Sequence, residues 1–122
     1  MAKKDGIANM LVNLKDCTLK ILENCGKTVD DIKWVGCRKY KIPLDKFWKL
    51  ADQYYQNGYG GTEVAEDLIV VGEDWWLERA EYDGSEWWEF KSLPKEPDEI
   101  IEPPTLFPKL FSNNKFFYLY EL

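Results

Sequence analysis

Histidine is absent from all 122 residues, which removes Ser-His and Cys-His nucleophile systems, imidazole zinc sites and the commonest general base of neutral pH. Arginine is almost as scarce, with only Arg38 and Arg79. The three cysteines, Cys17, Cys25 and Cys37, form no CxxC pair. An odd count at such spacings predicts reduced thiols, no disulfide and no zinc site. Long apolar runs are missing too: nothing approaches the roughly 20 residues needed to span a bilayer. The start, MAKKDGIANMLVNLKDC, is charged and amphipathic without the apolar centre of a signal peptide. These features predict a soluble, cytoplasmic protein without a membrane partner.

Positive charge is in deficit. A formal charge of -6 and an isoelectric point near 4.7 oppose binding to phosphate polymers, which depends on Lys and Arg displacing counterions. Direct nucleic-acid binding is not expected. A partner with a basic groove suits such a surface better.

Aromatic residues are abundant, at 16% within a hydrophobic share of 45%. Large rings must therefore supply much of the core of a single domain spanning residues 1–122. Along the chain, Ile7, Met10, Leu11, Leu14, Ile21, Leu22 and Cys25 recur at steps of three and four, predicting a first helix over 5–25 with Asp5 as N-cap and Gly26 as C′. Ile32, Trp34 and Val35 form a short β-prone run. Pro43 and the stripe Leu44, Phe47, Trp48, Ala51, Tyr54 and Tyr55 predict a second helix that ends at Asn57-Gly58. YGGTEVAED reads as a connection in which Thr62 caps a short helical turn, and LIVVG as a buried strand. The proline-rich acidic stretch 94–108 reads as an extended connector. KFFYLYEL alternates as a terminal strand does, after a turn at Ser112-Asn113-Asn114.

Four of the six tryptophans lie in GEDWWLERAEYDGSEWWEFK, residues 72–91. With Asp83-Gly84 as the centre of a type I′ turn, Tyr82 faces Ser85, Ala80 faces Trp87, Arg79 faces Trp88 and Leu77 faces Phe90. Trp75, Leu77, Trp88 and Phe90 then form an apolar face, with Arg79 over Trp88. Trp76, Glu78, Ala80, Trp87, Glu89 and Lys91 form the other. Its two indoles await cover from the C-terminal segment, a second copy of the chain or another protein. The fold class expected is α+β, with two amphipathic helices on an antiparallel sheet of about four strands centred on this Trp-rich hairpin.

The carboxylates Glu73, Asp74, Glu78, Asp83, Glu86 and Glu89 lie close in sequence and could pair as acid and base or hold a hard cation. A solvated acidic face is the preferred reading, since Asp83 belongs to the turn and the glutamates alternate with rings. GYGGTE lacks the lysine of a phosphate loop and follows a helix, so it reads as a connection. No catalytic residue, cofactor or metal site is expected, and the protein is read as a non-enzyme.

The elements GYGGTEVAEDLIVVG, WWLER and EYDGSEWWEFK resemble a family of small uncharacterised proteins carried by phages and prophages of Gram-positive bacteria. The resemblance covers about residues 30–97 and departs at Ala80, where the group tends to have His. It implies a phage-encoded accessory factor in the host cytoplasm, with inhibitors of host defence as a leading class. Under that reading Glu73, Asp74, Glu78, Glu86 and Glu89 imitate spaced phosphates toward a CRISPR effector or another nucleic-acid-binding defence enzyme, and Trp76 and Trp87 anchor the contact. Two alternatives stay open: a structural or regulatory protein that forms a homodimer, and a sponge that sequesters a signalling nucleotide using Arg38, Arg79 or nearby lysines.

Overall fold

A computed structural model describes residues 11–58, 60–110 and 115–122. Strand β1 (Leu11–Asn13) runs into helix α1 (Leu14–Asn24); β2 (Trp34–Gly36) and β3 (Lys41–Ile42) precede α2 (Leu44–Ala51) and β4 (Tyr54–Gln56). Then follow β5 (Ile69–Val71), β6 (Trp75–Tyr82) and β7 (Ser85–Ser92). β1 and β4 form a two-stranded sheet. The rest form an antiparallel five-stranded sheet in the order β3-β2-β5-β6-β7. The α+β class holds, with five strands and a separate pair in place of about four.

The central hairpin has the register expected from its turn. Asp83 and Gly84 have φ of 51° and 88°, the left-handed pair that a two-residue type I′ connection requires. Tyr82 pairs with Ser85, Ala80 with Trp87, Arg79 with Trp88 and Leu77 with Phe90. Trp75 and Trp88 are buried, and the ring of Trp75 stacks on Phe90 at 5.8 Å.

Both helices are shorter than their apolar stripes suggest. The expected start of the first helix at Asp5 lies outside the described residues, but Leu11–Asn13 is strand, paired with Tyr54–Gln56. Asn13 is the N-cap: its side chain accepts the Asp16 N–H at 3.0 Å and donates to Asp52. At the other end Lys27 N–H reaches Leu22 O and Gly26 N–H reaches Glu23 O, a Schellman motif with Gly26 at φ 72°. The second helix stops at Ala51, so Tyr54 and Tyr55 belong to β4 and not to its stripe. The ladder with β1 and the Leu14 N–H bond to Gln53 O draw this backbone away from a helical path.

The core joins Leu22, Phe47 and Ala51 of the helices to Val35, Val70, Leu77 and Trp88 of the sheet. A polar residue is built into it: Thr18, fully buried, donates to Leu14 O and accepts the Trp88 indole N–H at 2.8 Å. Thr62 caps no helical turn, since its hydroxyl donates to Glu66. The connector 94–107 carries no helix or strand, and a 3-10 turn follows at Pro108–Leu110. The expected terminal strand is absent from 115–122. Glu121 instead takes the N–H groups of Phe117 and Tyr118 and closes a 3-10 turn, Leu119–Glu121. The turn expected at 112–114 lies outside the described residues.

Two glycines are constrained differently. A Cβ on Gly72 would lie 2.1 Å from the Trp75 ring, whereas one on Gly84 would meet only Gly60 O at 3.2 Å but sit at positive φ. Gly72→Ala is expected to cost about 2 kcal/mol or more, because a core indole must shift, and Gly84→Ala about 1–2 kcal/mol. Urea denaturation of both variants checks the order.

Candidate functional site

Alternation along β6 and β7 sends Trp76 and Trp87 away from the helices. Cross-strand pairing aligns Trp34, Val71 and Trp76 in one row and Gly36, Ile69, Glu78 and Glu89 in the next. Among the described residues no helix packs on this second face, since both helices pack on the Val35, Val70 and Leu77 side. Trp76 is half-buried there and Trp87 is 39% exposed. Each indole is held by a carboxylate two residues along its own strand. Trp76 Nε1 donates to Glu78 at 2.7 Å, and Trp87 Nε1 to Glu89 at 3.4 Å.

Glu73 and Asp74 are exposed in the β5–β6 turn, with Glu73 3.8 Å from Lys33. Glu89 lies 3.5 Å from Lys91. The acids are thus partly neutralised by lysines and indole N–H groups and do not form a bare series of negative charges.

Glu86 leaves the expected surface altogether. Facing Glu81 across the hairpin, it shares the inward face with Trp88, and its side chain is 2% exposed. Burying a carboxylate requires partners. Arg79 supplies one at 3.0 Å, and the backbone N–H groups of Glu63 and Val64 supply two more at 2.6 and 3.3 Å. Arg79 is itself buried, donating to the Tyr55 hydroxyl at 3.1 Å with its guanidinium 4.8 Å from the Trp88 ring. Glu86 therefore ties the 60–66 connection to the hairpin. Its backbone adds to this by donating to Asn57 O.

Beside this cluster runs a groove of about 540 Å³ between α1, the β1–β4 pair and the start of β7. Tyr54, Tyr55, Trp87 and Trp88 wall it, with Leu11 and Ile21, and among the described residues Lys20 is the only cation that lines it. Among the described residues a nucleotide's phosphates would meet that lysine alone, because Arg79 is committed to Glu86 and the exposed Arg38 does not line the groove. The groove has no signature in the sequence because three separate segments build it. Burial pushes the thiol of Cys17 and the phenol of Tyr55 above their ordinary values, and the Arg79 charge pulls both back only in part. A protonated thiol is a poor nucleophile.

Among the described residues no group of three or more Cys, Asp or Glu is placed to hold a metal, and no helix is long and apolar enough to cross a membrane. Comparison with family models, curated proteins and solved structures finds no match to this chain.

Three predictions arise from the buried cluster. Arg79→Leu leaves Glu86 buried without its counter-charge and is expected to cost about 3–5 kcal/mol, whereas the paired change Arg79→Leu/Glu86→Leu recovers part of that loss. Amide exchange should lose protection at Glu63 and Val64 in Glu86→Ala. The raised values of Cys17 and Tyr55 also set an alkaline limit. Their contribution is intact below the ordinary values of about 8.5 and 10, and is lost as pH climbs through the higher folded values. The melting temperature should fall across that range, and Cys17→Ala/Tyr55→Phe should flatten the slope.

Proposed function

We propose that this protein acts by binding a partner protein and not by catalysis, using the second face of the five-stranded sheet with Trp76 and Trp87 as anchors. The carrying observation is the pair of W-x-E arrangements, in which each indole is oriented by the carboxylate two residues on. An aromatic anchor already fixed in position loses little freedom on binding, and such residues dominate interface energies. The net charge of -6 favours a partner with a basic surface around an apolar pocket. The resemblance to phage and prophage proteins supports a host defence protein, such as a CRISPR effector nuclease, as that partner. Anchoring by rings with an acidic rim replaces extended phosphate imitation, because Glu86 is buried and Glu73 and Glu89 lie beside lysines.

Cleavage of target DNA by purified CRISPR effectors, with this protein added, tests the reading. Wild type should suppress cleavage by at least one effector, with suppression weakening as salt rises. Trp76→Ala/Trp87→Ala should be weaker by about a hundredfold, equivalent to about 2.7 kcal/mol, while keeping the wild-type melting temperature within a few degrees. Equal inhibition by the double variant, or no effect on any effector, sinks the proposal.

A further inference from the structure

We infer that the outer edge of β7 pairs antiparallel with β7 of a second copy of this chain, about a two-fold axis at Phe90, joining two five-stranded sheets into one of ten strands. Among the described residues β7 is an edge strand, bonded to β6 on one side only. The Glu86 N–H bond to Asn57 O shows that the backbone of residue 86 points outward from the sheet. With a period of two, the backbone groups of Trp88, Phe90 and Ser92 point the same way. None of these has a partner on that side among the described residues.

The free stretch is bounded at both ends. Asn57 occupies residue 86, and beyond Ser92 the next residue in the outward phase is Pro94, which has no N–H to offer. Three outward-facing residues are left, which centre a two-fold contact on the middle one. Phe90 then pairs with its own copy, and Trp88 with Ser92 of the second chain. Every pairing joins outward groups to outward groups.

Charge selects the same register. Glu89 comes to lie opposite Lys91 of the copy, and Lys91 opposite its Glu89. The pair already 3.5 Å apart within each strand becomes a quartet of alternating sign. Moving the axis to residue 89 sets Glu89 against Glu89, and moving it to 91 sets Lys91 against Lys91. An axis at 88 needs the engaged N–H of residue 86, and one at 92 needs Pro94. The contact is isologous and closed. Its short length predicts a reversible dimer that depends on concentration. This inference does not rest on the partner proposed above: it uses backbone edge groups and the Glu89 and Lys91 side chains, and Glu89, which also holds the Trp87 indole, is the group common to both.

Sedimentation equilibrium of the full chain, without any partner, tests it. Wild type should approach twice its 14.4 kDa mass as concentration rises. Ser92→Pro removes one outward N–H and no bond to β6, so it should raise the dissociation constant about tenfold or more with the β-sheet circular dichroism intact. Lys91→Glu should weaken the dimer similarly, and Glu89→Lys/Lys91→Glu should restore it. Should Ser92→Pro not fold, the charge pair decides alone. A wild type that stays monomeric at millimolar concentration overturns the inference. So does a dimer unmoved by Ser92→Pro and Lys91→Glu, or one not restored by the charge exchange.

Discussion

The positive φ angles of Asp83 and Gly84 set the placement of every functional group described above. A two-residue connection has no slack, so it dictates which residue faces which, and a shift of one would turn each side chain to the opposite face. From that register follow the burial of Trp75 and Trp88, the second-face position of Trp76 and Trp87, and the stacking of Arg79 over Trp88. The outward phase of the β7 backbone is set by the same count. Energetically the turn is a small part of the fold. Its influence lies in removing the competing registers.

That register also places a charge inside. Arg79 occupies an inward position among rings, where an unpaired guanidinium would be costly, and the fold answers with Glu86, the Tyr55 hydroxyl and the Trp88 ring. Thr18 meets the indole N–H of the same tryptophan. One buried ring thus joins α1, β6 and β7 through both its face and its edge. Glu86 carries the arrangement outward by holding the N–H groups of Glu63 and Val64, so the glycine-rich connection is shaped by a carboxylate more than twenty residues away.

These arrangements were unequally visible in the sequence. The hairpin was legible because Asp-Gly at its centre and strict alternation around it admit one register. The inward position of Glu86 was legible on the same count, since Tyr82 opposite Ser85 puts residue 86 on the face of Trp88; its charge, surrounded by other acids, made it resemble a surface residue. Helix lengths were not legible. Leu11 and Tyr55 fit the helical stripes as well as their neighbours do, and only the pairing of two segments more than forty residues apart makes them strands. KFFYLYEL alternates like a strand, but within 115–122 no neighbouring ladder completes it, and Glu121 captures two of its donors. Propensity is local, whereas a strand requires a second segment.

The two surfaces proposed here lie on one strand and share Glu89 but otherwise use different atoms. Odd-numbered side chains of β7 face away from the helices, whereas the edge contact uses the backbone of even-numbered residues, with Glu89 and Lys91 selecting its register. A change at Trp87 can therefore act on the first surface, and one at Ser92 on the second, without direct interference. Exposed edges are usually protected by short strands, lysines or proline. At one side of this sheet β3 has two residues; at the other β7 has eight, shortened by Asn57 at its start and Pro94 beyond its end. Lys91 in the remaining gap opposes most strands that could approach. Only a strand bringing an acid opposite Lys91 and a base opposite Glu89 turns that protection into attraction, and another copy of β7 read antiparallel about Phe90 carries that pattern.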